Sequence, residues 1–253
     1  MEIPEILLQK IAEAEHVAIL TGAGVSAESG IKTFRDPDGL WAQLNPAELA
    51  SVEGFMANPQ LVWSWYRHRV EVINDAKPNP GHYAIAKMQD MFPKFTLITQ
   101  NVDRLHHRAG SRKVIELHGN IVENHCFDCK SPFTGDTALP DGHLPVCPIC
   151  GGRIRPSVVW FGEMLPVDAI EAAEEAAYSC DVFFSVGTSA EVYPAANLPV
   201  TAKRNGAFVV EVNPNFTVLS GYVDAKLAAP SGEALPVLLD EFGKYKKFIE
   251  ESL

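Results

Sequence analysis

Four of the five cysteines stand in two closely spaced pairs, and this spacing can bind a metal ion. Cys126 pairs with Cys129 and Cys147 pairs with Cys150, so each C-x-x-C turn presents two thiolates. Four sulfur ligands complete a tetrahedral zinc site and leave no position open for water. We therefore predict one zinc ion with a structural role. A redox C-x-x-C motif is the alternative, but redox chemistry needs no second copy at this spacing.

Zinc ribbons of this kind also occur in nucleic-acid-binding proteins, so the charge of the ribbon matters. Residues 121–156 carry four acidic and three basic side chains, a net charge of −1, and the whole chain has a formal net charge of −11. Binding to nucleic acid needs a basic face that neutralises phosphates. We therefore expect the ribbon to be a scaffold without direct contact to nucleic acid. Basic peptides are compatible partners.

A glycine-rich turn follows the apolar run at residues 17–20. Gly22, Ala23 and Gly24 form this turn, and glycine lets the backbone bend sharply and lets a phosphate approach closely. A helix that starts within residues 27–30 would direct its free N–H groups to the same place. The pattern predicts a phosphate cradle; a plain strand-to-helix turn is the alternative, since the spacing differs from G-x-G-x-x-G. The next residues supply an aromatic ring and a guanidinium that can cover and grip a nucleotide: Thr33, Phe34 and Arg35.

Polar residues also follow later predicted strands, at the carboxyl ends where open α/β sheets bind their ligands. Gln100, Asn101 and Asp103 offer two amides and a carboxylate, which can hold ribose hydroxyls or a carboxamide. A helix N-cap at Asn101 or Asp103 is the alternative. Two further turns of small and polar residues are Gly187, Thr188 and Ser189, and the turn at Asn213. The clustering of these turns favours one dinucleotide site across the sheet.

His118 ends another predicted strand, and Gly119 leaves room beside its imidazole. A histidine in this position can titrate near neutral pH and act as a general base, although a lone histidine is more often structural. The other histidines of this region, His106, His107 and His125, have no comparable setting. Cys180 precedes a buried strand and is expected to be a core thiol.

The apolar pattern predicts the elements that must position these residues. Helical spacing is found at residues 3–14, 59–73, 82–91, 101–109, 168–178, 195–204 and 233–250. Short apolar strands are expected at residues 17–20, 95–99, 114–117, 158–161, 182–186 and 207–212. Buried strands that alternate with helices predict an α/β fold, a mostly parallel sheet with helices on both faces.

Length and composition agree with a folded enzyme-sized chain. The 253 residues allow one large domain with a small insert, and 47% are hydrophobic, enough for a substantial core. The first residues lack the basic start and apolar core of a signal peptide. No apolar run approaches the roughly 20 residues that cross a bilayer. We expect a soluble, cytoplasmic monomer without membrane contact.

Taken together, the motifs resemble those of the sirtuin family, the NAD-dependent protein-lysine deacylases. In sirtuin order and spacing, the chain contains GAGVSAESGI (22–31), TFRD (33–36), TQNVD (99–103), ELHG (116–119), the four cysteines, VVWFGE (158–163), GTS (187–189) and VNP (212–214). The resemblance covers nearly the whole chain. It implies a doubly wound, Rossmann-like NAD-binding domain formed by residues 1–35, 80–120 and 157–253. The small domain would combine a helical insert at 36–79 with the zinc ribbon at 121–156.

The resemblance also implies roles for individual residues. The NAD site would be lined by Gly22, Ala23, Gly24, Glu28, Thr33, Phe34, Arg35, Gln100, Asn101, Val102, Asp103, Gly187, Thr188, Ser189 and Asn213. The catalytic residues would be His118 as general base, with Asn101 and Asp103. The substrate peptide would add as a strand along Val159, Trp160, Phe161 and Gly162, a β-augmentation mode.

In the mechanism that the resemblance implies, the acyl oxygen attacks ribose C1′ of NAD as nicotinamide leaves. The acyl group ends on ADP-ribose, lysine is freed, and the zinc ion takes no part. Tyr66 and Arg69, at i and i+3 of the predicted helix 59–73, resemble the pair that reads succinyl- and malonyl-lysine in class III sirtuins. Ala50 falls where that class keeps a small residue. By spacing alone, a solvated charge is the alternative for Arg69.

Three other functions compete with this one. A mono-ADP-ribosyltransferase on the same fold would leave ADP-ribose fixed on protein. A scaffold that senses NAD would bind without turnover, and a histidine at the position of the base counts against it. A hydride-transferring dehydrogenase is disfavoured by the spacing of the glycine turn.

Overall fold

The computed structural model describes residues 1–32, 46–137 and 143–251. The helices in this part of the chain are α1 (Glu5–Glu13), α2 (Gly24–Ala27), α3 (Pro46–Leu49), α4 (Val52–Ala57), α5 (Pro59–Asp75), α6 (Pro80–Met88), α7 (Leu105–Arg108), α8 (Val167–Ser179), α9 (Leu198–Arg204, preceded by a 3-10 turn at Ala195–Asn197) and α10 (Ser231–Glu251). The strands are β1 (His16–Thr21), β2 (Lys94–Thr99), β3 (Val114–Glu116), β4 (Gly119–Cys126), β5 (Pro132–Phe133), β6 (Ile154–Val158), β7 (Val182–Val186), β8 (Phe208–Val212) and β9 (Ala225–Leu227).

The main sheet has six strands in the order β3-β2-β1-β7-β8-β9, and all neighbours run parallel. Every residue of β1 is buried, as expected for a parallel strand covered by helices on both faces. The strand order is that of a doubly wound Rossmann-like fold. In this fold the order in which strands are added reverses at one switch point, which here lies between β1 and β7. The predicted fold class is confirmed. The reversal opens a crevice at the carboxyl ends of these strands.

Two apolar cores hold helices against the two faces of this sheet. On one face, Leu7 of α1, Ile85 of α6 and Leu235 of α10 pack with alternate residues of the strands. On the other face, Ala173 of α8 and Leu198 of α9 do the same. Each fully buried leucine or isoleucine contributes about 1.5–3 kcal/mol, so both layers are strongly attached.

A second, three-stranded antiparallel sheet lies apart from the main one, in the order β5-β4-β6. It shares a third core with α4 and α5, in which Phe55, Trp63, Ile154 and Trp160 are buried. The indole N–H of Trp63 donates to the carbonyl of Ile154 at 3.0 Å and ties α5 to β6. This third core joins two stretches of chain that are far apart in sequence, as the predicted small domain requires; its exact boundaries stay a prediction.

The strand predicted at 158–161 was wrong as a member of the parallel sheet. The strand in this region is β6, which ends at Val158 and pairs antiparallel with β4. A short apolar run does not distinguish a central strand of the parallel sheet from a strand of the three-stranded antiparallel sheet, because both are buried. Here the aromatic Trp160 fills the third core instead of continuing the ladder.

Two helix predictions also need correction. The helix expected at 101–109 is only the single turn α7, because Arg104 has a left-handed φ of 58° and the Asp103 carboxylate accepts the N–H of Leu105 at 2.9 Å. The helix expected to start within 27–30 is α2, which lies earlier, and Gly30 with φ 83° follows its end. No helix among the described residues is long and apolar enough to cross a membrane.

Candidate functional site

The switch point of the main sheet brings the predicted polar turns together. The N–H of Gly24 donates to the carbonyl of Gly187 at 2.8 Å, which joins the turn after β1 to the turn after β7. The side-chain amide of Gln100, after β2, donates to the hydroxyl of Thr188 at 3.1 Å. Asn213, after β8, donates its amide to the carbonyl of Thr188 at 3.1 Å. Four separate strand ends therefore form one polar surface.

Glycine is required where the turn after β1 meets the turn after β7. A Cβ on Gly24 would lie 2.8 Å from the carbonyl oxygen of Gly187, and one on Gly187 would lie 2.5 Å from the backbone nitrogen of Val25. Gly187 also has a φ of 60°. Because the contacts are with backbone, no rotamer change can relieve them. The two turns can approach this closely only without side chains.

Replacing Gly24 by alanine should therefore weaken binding of the predicted dinucleotide. Overpacking of this kind costs about 1–3 kcal/mol, so the Kd for NAD should rise about tenfold or more by calorimetry. Gly243→Ala is the matched control, because Gly243 lies on α10 with no atom within 4 Å of the added Cβ. Equal Kd values for the two variants would show that the Gly24–Gly187 contact does not shape the site.

His118 is held in one tautomer by the backbone. Its Nδ1 lies 2.9 Å from the carbonyl oxygen of Gln100, and because a carbonyl only accepts, this nitrogen carries the hydrogen. Nε2 is then the basic nitrogen of the neutral ring. Burial lowers the pKa of His118 below its ordinary value, and the bond to Gln100 opposes this in part. The ring is therefore neutral at pH 7 and able to take up a proton.

Asn101 and Asp103 enter a buried polar network beside the turn after β1. The amide of Asn101 donates to the carbonyl of Gly22 at 3.0 Å and to the hydroxyl of Ser26 at 3.3 Å. The Ser26 hydroxyl donates to the carboxylate of Asp103 at 2.7 Å. Burial raises the pKa of Asp103, while the Leu105 N–H, Ser26 and the charges of two arginines oppose the shift. The network holds the amide and carboxylate in fixed positions.

Ser26 and His82 belong to this network but were missed from the sequence. His82 accepts the N–H of Asn79 at Nδ1, at 3.3 Å, so its Nε2 hydrogen points to Ser26 at 3.5 Å. Burial lowers the pKa of His82 to about 4, so the ring stays neutral. The N-P-G-H sequence signals a capped helix start, and this capping role gives no hint of the contact with Ser26.

The predicted acyl-reading pair lies on α5. The Tyr66 hydroxyl accepts the indole N–H of Trp160 at 2.8 Å, and Tyr66 is only 3% exposed. Burial raises the pKa of Tyr66 to about 12, so the phenol keeps its hydrogen for a further acceptor. The guanidinium of Arg69 lies 5.0 Å from the Trp65 ring; burial lowers its pKa, and neighbouring Tyr66 and Asp103 oppose this. The phenol and the guanidinium lie one turn apart on α5.

The remaining predicted residues divide by position. Thr33, Phe34 and Arg35 lie outside the described residues. The carboxylate of Glu28 accepts the N–H of Gly232 at 2.8 Å, at the start of α10. Cys180 is a buried thiol, as expected, and burial raises its pKa to about 12.

The four predicted ligands of the metal site come together on the small sheet. Their sulfur atoms all lie within 4.8 Å of one another, with Cys126 and Cys150 at 3.5 Å and Cys129 and Cys147 at 3.7 Å. Zn–S bonds of about 2.3 Å in a tetrahedron place sulfurs about 3.7–3.8 Å apart, so the set fits one zinc ion. Cys126 and Cys147 are buried in the third core. A zinc ion held there would be structural, because all four positions would be filled by protein ligands.

Comparison with known proteins agrees with this geometry. The family model described as "Sir2 family" matches residues 22–194. The chain is 48% identical over 247 residues to the NAD-dependent protein deacylase of Methylococcus capsulatus, covering 94% of this chain and 97% of the relative. It is similar to a Sir2 homologue solved as an NAD complex, with TM-score 0.90, 45% identity and 96% and 95% coverage. A Sir2 structure with a p53 peptide and NAD+ superposes with TM-score 0.83, 33% identity and 96% and 99% coverage.

Proposed function

The chain belongs to the Sir2 family, and we propose that, as an NAD-dependent protein deacylase, it removes succinyl and malonyl groups as well as acetyl groups from lysine side chains. The deacylase activity itself follows from relatives of that name that match nearly the full chain. The comparisons do not support the ADP-ribosyltransferase alternative. A monomeric state and a cytoplasmic location stay predictions.

The residues of the switch point have the chemistry that this reaction needs. NAD, when bound, supplies an electrophilic ribose carbon that takes up the acyl oxygen as nicotinamide leaves. We assign binding of NAD to the joined turns at Gly22–Gly24, Gln100, Gly187–Thr188 and Asn213. Nε2 of His118 is the atom at which a ribose hydroxyl gives up its proton, because Nδ1 is engaged by the carbonyl of Gln100. Asn101 and Asp103 orient the nicotinamide ribose from their buried network.

The acyl preference rests on one observation, the hydrogen bond from Trp160 to Tyr66. Trp160 belongs to residues 158–162, the proposed peptide-binding segment, so this bond brings α5 against that segment. Arg69 follows Tyr66 by three residues on α5, and its positive charge acts on the Tyr66 hydroxyl. Ala50 is small, and its carbonyl accepts the N–H of Phe161 at 2.9 Å, so it adjoins the same segment. A guanidinium and a phenol suit the carboxylate of a succinyl or malonyl group.

Replacing Arg69 by methionine should lower kcat/KM for a succinyl-lysine peptide about 10- to 100-fold, because a charge-assisted hydrogen bond contributes about 1.5–3 kcal/mol. Turnover of the acetyl-lysine form of the same peptide should change less than about threefold. The measurement is NAD-dependent release of free lysine peptide and formation of O-acyl-ADP-ribose, compared among acetyl, succinyl and malonyl substrates.

Arg67→Met is the matched control, since Arg67 lies two residues away on α5 and its guanidinium is 5.9 Å from the Trp63 ring. It should affect the three substrates equally. If Arg69→Met also reduces all three to the same extent, Arg69 does not recognise the acyl carboxylate and the proposed preference is wrong.

A further inference from the structure

Arg155 is a buried cation that the reaction described above does not use. It lies on β6, opposite His125 of β4, and is 1% exposed. Its neighbour Ile154 pairs with the zinc ligand Cys126. A buried guanidinium is costly to desolvate unless its donors are satisfied, so its partners indicate what it does.

The guanidinium of Arg155 contacts residues 156–163, which follow it in the chain. Two nitrogens donate to the two carboxylate oxygens of Glu163, at 2.5 and 2.8 Å. One of them also donates to the carbonyl of Val158 at 2.7 Å, and Nε donates to the carbonyl of Pro156 at 3.3 Å. The group lies 3.4 Å from the centre of the Trp160 ring. Arg155 thus contacts both ends of residues 158–163 and the ring between them.

Glu163 also contacts the backbone of Trp160. The same carboxylate accepts the backbone N–H of Trp160 at 2.8 Å, and the N–H of Glu163 donates to the carbonyl of Trp160 at 3.0 Å. The pKa of Glu163 is lowered by Arg155 and the Trp160 N–H, against the effect of burial. The carboxylate is therefore ionised and bonded on both oxygens.

The remaining backbone groups of the segment show which edge is left for a ligand. The N–H of Val159 donates to the carbonyl of His118, and that of Phe161 donates to the carbonyl of Ala50, both at 2.9 Å. Among the described residues, the N–H of Gly162 has no partner. Gly162 has a φ of 85°, and the Phe161 side chain beside it is 57% exposed. The segment is fixed on its inner side, and the N–H of Gly162 is the backbone donor left for a ligand.

We propose that Arg155 and Glu163 are positioning residues for the protein substrate, which hold the end of β6 and the turn at residues 160–163 in the shape that a peptide strand can join. The proposal rests on the proposed function, in which this segment receives the acyl-lysine peptide. Neither residue contacts the substrate in this scheme. Arg155 acts from β6, so the zinc-bearing sheet contributes to the shape of the peptide-binding edge through this side chain.

The test separates peptide recognition from NAD binding. Arg155→Lys and Glu163→Gln should each raise KM for an acetyl-lysine peptide about tenfold, while the Kd for NAD measured without peptide changes less than twofold. Arg155→Met should raise the peptide KM further than Arg155→Lys, because lysine retains the positive charge and N–H donors. Arg153→Lys is the control, since Arg153 precedes β6 and contacts the sulfur of Met56, away from residues 158–163.

Glu163→Gln guards against misfolding, because the Glu163 side chain is 25% exposed and glutamine keeps an acceptor oxygen. A lower Tm with unchanged peptide KM in both conservative variants would mean that the pair only stabilises the fold, and the inference would be overturned. If the wild-type protein itself does not bind acyl-lysine peptide, the proposed function fails as well. If the wild-type protein turns over the acyl-lysine peptide and the variants have the same peptide KM as the wild type, the inference alone is overturned.

Discussion

Replacing His118 by alanine should lower kcat for deacylation about 10²- to 10⁴-fold, the range that removal of a general base produces. The Kd for NAD should change much less than kcat, because the joined turns at Gly22–Gly24 and Gly187–Thr188 form without the imidazole ring. The matched control is His107→Ala on α7, a half-buried histidine beside Glu116 that is outside the proposed site. Initial rates with saturating NAD and acetyl-lysine peptide give both values. A His118→Ala enzyme that keeps more than about a tenth of wild-type kcat would rule out this base.

The pH profile gives a second readout of the same residue. Burial holds the pKa of His118 below its ordinary value of 6.5, so the neutral, basic form is present at and above neutral pH. The rate should therefore be level near pH 7–8 and decline as the pH falls through the lowered pKa, when the ring takes up a proton and can no longer act as a base. The residual activity of His118→Ala should lack this acidic decline. A decline at the same pH in the variant would assign it to another group.

Removing the zinc ion should abolish activity and unfold the small sheet, because structural zinc contributes about 10–16 kcal/mol of binding free energy in zinc-finger peptides. Cys126→Ser should do the same, since Cys126 is buried in the third core together with Trp160 and Tyr66. Metal content by mass spectrometry, the Tm and the deacylation rate would be measured before and after chelation. Added zinc should restore all three to the chelated wild type.

Cys180→Ala is the control for that experiment. Cys180 is buried between α8 and β7, and its sulfur donates weakly to the carbonyl of Ala177 at 3.7 Å. The variant should keep one zinc ion and most of the activity while losing a small amount of stability. Full deacylase activity in metal-free protein would contradict a structural role of zinc.

The main sheet could be predicted from the sequence because its strands are short, apolar runs that alternate with helices. All six residues of β1 are buried, and such strands need no partner information to be recognised. β4 escaped detection because its residues alternate poorly between buried and exposed, and β9 is only three residues long. Short strands of this kind form because of their neighbours, and local sequence carries little of that information.

Some residues of the candidate site could be predicted from the sequence and others could not. Residues in glycine turns and at strand ends were found, because backbone geometry demands particular residue types there. Ser26 and His82 were not, since each acts through a partner distant in sequence, namely Asp103 and Ser26. Arg155 was not found either, because the local sequence does not show that its side chain is buried against Trp160. A lone serine or histidine looks the same on the surface and in a buried network. Only the three-dimensional packing distinguishes the two.

The third core has a consequence for how the chain is made. Its helices α4 and α5 precede the strands β4 and β6 that cover them, and roughly 80 residues separate the end of α5 from the end of β6. At a ribosomal rate of roughly 5–20 residues per second, this interval lasts several seconds. During that time Phe55 lacks the rings of Phe127 and Trp160, and Trp63 lacks the carbonyl of Ile154. The nascent chain is then accessible to chaperone binding or to aggregation. The third core therefore forms late in biogenesis.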